Sequence, residues 1–209
     1  ERIHNEFFKI LNSANPYFVI NVMKKIGILD ILFEKKVETK FFKKLLSIET
    51  KNSLTMSEIL RFVSLAPNTK KNHLSDLKMF NFSKKDKKKL FLLTNQEFKI
   101  DNKLKKNDIK RILYSVDKQL LVDFAVLSWV LSINNTLNKE WMSILGQISK
   151  LKSPIFPLKA NDLLNFGLKE GPIIGEILTQ IEQDWIDSNF ELKKEELLLK
   201  SKALIARKS

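Results

Sequence analysis

Residues 119–135 read QLLVDFAVLSWVLSINN and form the most apolar run of this 209-residue chain. Asp123, Ser128 and Ser132 interrupt the run, and its uncharged part is shorter than the ~20 residues that a helix needs to cross a bilayer. We therefore expect a buried core helix. Apolar residues upstream keep the same helical spacing, so the pattern predicts one long, mostly buried helix from Asp108 to Ile133.

Helix start and stop signals recur along the rest of the chain. Asn15-Pro16 predicts a helix start, and Gly27 lies where a left-handed C-cap residue belongs. Thr55-Met-Ser-Glu58 has the form of a capping box. Strand signals are weak, because FLLTNQEFKI at 91–100 alternates only in part. We therefore predict an all-α fold.

Two of the predicted helices have a clear apolar face. The helix after Pro16 is expected to pack through Phe18, Val19, Val22, Met23 and Ile26. The helix expected from Glu140 to Leu151 carries Trp141, Ile144, Leu145 and Ile148 on one side.

Two stretches interrupt the helical pattern. Ser153-Pro-Ile-Phe-Pro157 contains two prolines three residues apart, which rule out a continuous helix and indicate a joint between subdomains. The lysine run SKKDKKKL at 83–90 is expected to be an exposed loop between helices.

The formal net charge of +13 points to a polyanionic partner, with nucleic acid as the first choice and an anionic membrane as the second. An A+T-rich genome that fills exposed positions with lysine codons explains the same charge. Of the 37 cationic residues only four are arginine, as that codon bias predicts. Both explanations stay open on charge alone. The absence of cysteine fits a reducing compartment, and we expect a cytoplasmic protein.

The sequence contains no complete active site. His4 and His73 are far apart, have no partner at metal-ligand spacing, and are expected to be ordinary surface histidines. Neither a phosphate-binding P-loop, a dinucleotide fingerprint nor an Asp-x-Asp pair is present. Asp184 and Asp187 share a predicted helix face, for which a solvated face is a better interpretation than a magnesium site. We predict no catalytic or metal-binding residue in this chain.

Residues 58–79 (EILRFVSLAPNTKKNHLSDLKM) loosely resemble a DNA-reading helix-turn-helix. Asn68 or Thr69 is expected to cap the second helix, which carries Leu74, Leu77 and Lys78. Lys70, Lys71, Asn72 and His73 lie where such modules contact base edges. Ordinary helix packing is the alternative.

Residues 163–178 (LLNFGLKEGPIIGEIL) hold three of the five glycines. Gly167 is expected to end one helix, Gly171-Pro172 to begin the next, and Gly175 to permit close approach of another backbone. With Lys159 and Lys169 nearby, this helix start is a candidate phosphate site. A tight corner between two helices is the alternative.

Both ends of the chain resemble bacterial tRNA nucleotidyltransferases and their poly(A) polymerase relatives. The first segment is similar to the family's neck, E-R-I-x-x-E-x-x-K-I-L followed by Asn-Pro and M-x-x-x-G-I-L. Its matching residues are Glu1, Arg2, Ile3, Glu6, Lys9, Ile10, Leu11, Asn15, Pro16, Met23, Gly27, Ile28 and Leu29. The second is similar to the tail, G-x-D-L, G-P-x-I-G-x-x-L and W-x, with Ala160 in place of the first glycine. Its matching residues are Asp162, Leu163, Gly167, Gly171, Pro172, Ile174, Gly175, Leu178 and Trp185.

The resemblance implies an elongated or curved helical arm made of a neck end (1–34), a body (35–152) and a tail (153–209). The chain, which opens without an initiator methionine, would then be a piece of a longer enzyme whose catalytic head precedes Glu1. That head would use magnesium with ATP and CTP to extend RNA 3′ ends, and this piece alone would be inactive and hold no cofactor.

The expected partner is tRNA or another RNA, rather than DNA or a membrane. The residues predicted to contact RNA are Lys159, Lys169, Gly171, Pro172, Lys84, Lys85, Lys87, Lys88 and Lys89. A stand-alone helical RNA-binding or interaction module without enzymatic activity is the alternative.

Overall fold

The computed structural model describes residues 1–66, 74, 77–98, 100–132, 138–166 and 171–208. Across these residues the chain is all-α, with twelve helices and no strand, which confirms the predicted fold class. The helices are α1 (Arg2–Leu11), α2 (Pro16–Lys25), α3 (Ile28–Leu32), α4 (Lys40–Asn52), α5 (Glu58–Val63), α6 (Lys84–Thr94), α7 (Lys106–Ser115), α8 (Lys118–Leu131), α9 (Asn138–Lys150), α10 (Ala160–Leu164), α11 (Pro172–Asp187) and α12 (Lys194–Lys208).

The helices form two compact units. The first contains Glu1–Leu104 and Lys118–Lys150, and the second contains Lys105–Asp117 and Leu151–Ser209. The prediction of one helix from Asp108 to Ile133 is wrong, because α7 and α8 are separate and belong to different units. The backbone is extended at Val116 (φ −134°, ψ 158°). Ser, Val and Asp, the residues at this break, all have modest helix propensity.

α8 is the central helix of the first unit. It packs against α4, α6 and α9 and buries residues all around its circumference, including Leu121, Ala125, Val126 and Trp129. A helix that is apolar on every side must be covered on every side, which confirms the core helix expected from residues 119–135.

A cluster of phenylalanines joins α1, α3, α5 and residues 80–82. Phe62 lies at its centre, fully buried, and its ring contacts those of five others. The five are Phe7, Phe8, Phe33, Phe80 and Phe82. The prediction that His4 is a surface residue is wrong, because His4 is half-buried and its ring stacks on that of Phe8 with the centroids 4.5 Å apart.

The start of α5 differs from the predicted capping box. Ser57, not Thr55, is the N-cap, and its Oγ accepts from the Leu60 N–H (3.1 Å). Ser57 also donates to the buried carboxylate of Asp123 (2.5 Å). That second bond is a tertiary contact between α5 and α8, and it selects the capping serine over the threonine two residues earlier.

The second helix of the predicted helix-turn-helix is not found where the structure describes it. Leu74, Leu77 and Lys78 are not helical, and the side chains of Leu74 and Leu77 are buried. A turn in which the Phe80 N–H donates to the Leu77 carbonyl oxygen (3.1 Å) leads Phe80 into the phenylalanine cluster. The residues predicted to cap the second helix and to contact base edges lie outside the described residues; they are Asn68, Thr69, Lys70, Lys71, Asn72 and His73.

α2 begins and ends as predicted but packs through a different face. Asn15 accepts from the Phe18 N–H (3.4 Å), Pro16 is the first helical residue, and Gly27 is left-handed (φ 80°). Ile20 is fully buried, whereas Phe18 is 66% exposed and Ile26 63%. The predicted apolar face is therefore wrong, because spacing alone does not tell which apolar stripe has a neighbour.

The core of the second unit lies between α10, α11 and α12. Leu158, Leu163, Ile177, Trp185 and Leu197 are buried together. Residues 151–159 are not helical, which confirms the break predicted from the two prolines. α7 packs on this core through Tyr114, whose ring lies edge-on to Trp185 and whose hydroxyl donates to Glu182. Burial and the bond to Glu182 raise the pKa of Tyr114 to about 12.

None of the helices among the described residues combines the length and the apolarity needed to span a membrane.

We expect Phe62→Ala to lower the free energy of unfolding by about 3–5 kcal/mol, because it removes the central ring of the cluster and leaves a cavity. Phe18→Ala is the matched control, since Phe18 is 66% exposed and its loss should change the free energy by less than about 0.5 kcal/mol. Urea titration measures both. Equal effects of the two variants would contradict the central role of Phe62.

Asp123 makes stability depend on pH. Burial raises its pKa from 3.8 to about 6, although Ser57 and Gln119 donate to the carboxylate. The folded state therefore binds more protons than the unfolded state between these two pKa values. The stabilisation that protonated Asp123 gives the folded state is fully present below pH 3.8 and is lost as the pH rises to about 6. Asp123→Asn should remove up to about 3 kcal/mol of that pH dependence. Urea titrations at several pH values measure the free energy of unfolding of both proteins. The same dependence of that free energy on pH in Asp123→Asn and the wild type would contradict the prediction.

Candidate nucleic-acid interface

The lysine run at 83–90 forms the first two turns of α6, so the prediction of a loop is wrong. Ser83 caps the helix by accepting from the Asp86 N–H (3.1 Å) and donates to the Asp86 carboxylate (2.6 Å). Leu90 and Leu93 are buried on one side. This cap and the burial of the two leucines stabilise the helix and offset the unfavourable interaction of the lysines with the positive end of its dipole.

Four of the five predicted α6 lysines face solvent: Lys84, Lys85, Lys87 and Lys88. They lie at the positive end of the helix dipole, where cations weaken a helix. The helix gains nothing in stability from lysines there, whereas a bound anion would relieve their mutual repulsion. Lys89 differs, because it is half-buried and its charge acts on Asp123, lowering the pKa that burial raises.

In the second unit, Lys159 precedes α10 and its side chain is exposed. The Lys159 N–H donates to Asp162 Oδ2 (2.7 Å), and the other oxygen of Asp162 binds Lys194 Nζ (2.7 Å). Asp162, one of the residues that carry the tail resemblance, thus joins the start of α10 to the start of α12. The bond from Lys194 and then that from the Lys159 backbone hold the pKa of Asp162 below its ordinary value.

Gly171-Pro172 begins α11 as predicted, with Pro172 as the first helical residue and Gly171 in an extended conformation. A Cβ built on Gly175 would meet no atom within 4 Å, so the described part of the chain makes no close approach there, contrary to expectation. Gly167 and Lys169 lie outside the described residues. Phosphate binding at this helix start stays a prediction.

A second group of lysines, not singled out from the sequence, lies on α4. Lys40, Lys43, Lys44 and Lys51 lie on the side opposite the buried Phe42, Leu45 and Glu49. Spacings of three, four and seven residues mark one helix face, and this signal could have been found before the structure was known. What spacing does not show is that Trp129 of α8 walls the same groove.

The described residues contain no group of three or more His, Asp or Glu side chains able to hold a metal ion. Asp184 binds Lys200 Nζ (2.8 Å), and Asp187 accepts from Gln183 (3.0 Å). Both carboxylates are engaged by neighbouring surface side chains, which agrees with the interpretation of a solvated helix face.

We expect Asp162→Asn to destabilise the protein by about 1 kcal/mol at neutral pH, because it weakens a charged, partly exposed contact. The lowered pKa makes this stabilisation present above pH 3.8 and lost as pH falls further, so the difference between the proteins should vanish in acid. Asp187→Asn is the control. Urea titration at both pH values measures the effect, and a difference that persists in acid would argue against the ion pair.

No protein-family model matches this sequence, and no curated protein is significantly similar to it. The functional interpretation of these sites therefore depends on their residues, geometry and charge.

Proposed function

We propose that this chain is the RNA-holding helical region of a tRNA nucleotidyltransferase or poly(A) polymerase, an elongated or curved arm whose catalytic head lies outside the sequence. The family assignment is supported by the neck-like and tail-like residues at 1–29 and 162–185. RNA binding is supported by one observation above the others, the four solvent-facing lysines at the start of α6.

Lysines on a helix surface bind nucleic acid by displacing counterions from its phosphates. Such binding is sensitive to salt and reads shape rather than sequence. The side chains on α6 are long and exposed, and only Asp86 among the first six residues opposes their charge. Metal-binding carboxylates, ATP and CTP belong to the head in this proposal, and the lysines position the RNA whose 3′ end is extended.

The first test compares the affinity of the chain for tRNA with that for random duplex DNA, at about 50 mM and about 200 mM salt. We expect tRNA to bind more tightly at both. Lys84→Gln/Lys88→Gln should weaken tRNA binding and reduce the salt slope by about 2, one for each lost phosphate contact.

Lys139→Gln/Lys150→Gln is the matched control, because it removes two exposed charges from α9. It should have a smaller effect than the α6 variant. Binding of tRNA no tighter than that of duplex DNA would overturn the proposal.

The genomic sequence upstream tests the family assignment separately. An Asp-x-Asp on a predicted strand, followed by Arg-Arg-Asp, is expected if a catalytic head precedes this region. Its absence would favour a stand-alone RNA-binding module.

A further inference from the structure

The cationic face of α4 forms one side of a groove. The groove has a volume of about 430 Å³ and is lined by Lys40, Lys43, Lys44, Ser47, Lys51 and Trp129, together with Ile48 and Asn52. None of these lining residues is acidic. At a rise of 1.5 Å per residue, Lys40 and Lys51 are about 16 Å apart along the helix, which is longer than a single phosphate group requires.

Two further depressions share lining residues with this groove. A depression of about 290 Å³ shares Lys40 with it and adds Lys35, Lys36 and the acidic Glu38. Another, of about 570 Å³, shares Ser47 and Lys51 with it and is also lined by Tyr17 at the start of α2 and by the Glu49–Arg61 ion pair. Volumes of this size match sites for drug-sized molecules.

The positive charges of this groove are poorly neutralised by the protein itself. Lys40 pairs with Glu38 (2.6 Å), but both side chains are more than 60% exposed, and such pairs contribute little. In the described part of the chain, Lys43, Lys44 and Lys51 have no carboxylate within ion-pair distance. Lysines three or four residues apart on a helix repel one another, so a polyanion along this face would be bound favourably.

Two of these lysines are held in place by neighbouring groups. Lys44 Nζ donates to the Ser132 carbonyl oxygen (2.8 Å) at the end of α8, and burial lowers the pKa of Lys44. Lys43 lies over the ring of Tyr17, with Nζ 5.4 Å from the centroid. This contact places an aromatic ring beside the cationic row. A basic groove that follows a backbone, with an aromatic side chain for stacking, is how proteins bind single-stranded nucleic acid.

We propose that the α4 groove binds a single-stranded RNA segment, with Lys43 and Lys51 contacting its phosphates and Tyr17 stacking on a base. This inference rests on the proposed function in taking RNA as the ligand, and it adds a site separate from the lysines of α6.

The test measures the binding of a fluorescent 12-nucleotide single-stranded RNA of mixed sequence to the full chain. Lys43→Gln/Lys51→Gln should weaken binding about tenfold and reduce the salt slope by about 1.4. Both lysines are exposed, and circular dichroism checks that the helices are retained. The control, Lys139→Gln/Lys150→Gln, should weaken binding less than about threefold, because charges away from the site act on the RNA only through attraction that salt screens.

Tyr17 supplies a readout that a loss of charge alone would not change. Tyr17→Leu should weaken binding about tenfold, whereas Tyr17→Phe, which keeps a ring for stacking, should bind like the wild type. Equal losses in Tyr17→Leu and Tyr17→Phe would overturn the stacking role.

The remaining outcomes distinguish a failure of the α4 site from a failure of the proposed function. Equal losses in the α4 variant and the α9 control would overturn the groove as a site, while tRNA binding that depends on Lys84 and Lys88 would leave the proposed function intact. A 12-base-pair RNA duplex bound as tightly as the single strand would overturn the single-strand assignment. Binding to phosphatidylserine vesicles, with no binding of the single strand, would overturn the inference in favour of a membrane surface.

Discussion

The packing of five phenylalanine rings around Phe62 is the constraint on which the first unit depends. The centroid distances from Phe62 run from 4.9 Å to Phe33 and Phe80 up to 6.0 Å to Phe7. Aromatic pairs at such distances combine a large buried area with defined relative orientations. The rings come from α1, the residue after α3, α5 and residues 80–82, segments with no regular spacing in the chain. Because protein interiors are close-packed, their meeting at Phe62 sets where each of these segments lies.

Arg61, the residue before Phe62, links this cluster to α4, which carries the candidate RNA site. Arg61 donates through Nε and Nη2 to Glu49 of α4 (both 3.1 Å) and through Nη1 to the Leu11 carbonyl oxygen (2.8 Å). Glu49 is 6% exposed, and losing one partner of such a buried pair is strongly destabilising. With Glu49 held inward, the helical period directs Lys40, Lys43 and Lys51 outward. The orientation of the basic face thus follows from an ion pair on the opposite side of the helix.

Much of the fold could be predicted, because its local signals are strong. The structure confirms the helix start at Pro16, the left-handed Gly27, the break at the two prolines of 153–157, the buried core helix α8 and the apolar face of α9. Each of these predictions depends on signals that act within one turn or one helix. Three of the errors have a different cause. Ser57 replaces Thr55 as the cap because Asp123 binds it, His4 is half-buried because phenylalanines surround it, and α2 packs through Ile20 because only that side has neighbours. Each of these depends on residues distant in sequence.

The candidate site divides in the same way. The order of residues alone specifies an all-α chain, its positive charge, some helix boundaries such as those at Pro16 and Pro172, and the lysine run at 84–89, since propensity, capping and periodicity are local properties. The helix formed by this run has a local signal too, the cap that Ser83 and Asp86 form three residues apart. Only the folded chain decides that the lysines of α4 face a groove walled by Trp129. It also decides that Tyr17 lies under Lys43. Tertiary packing brings Tyr17 against Lys43 and places Trp129 in the same groove as Lys43, and no pattern of spacing along the chain encodes either arrangement.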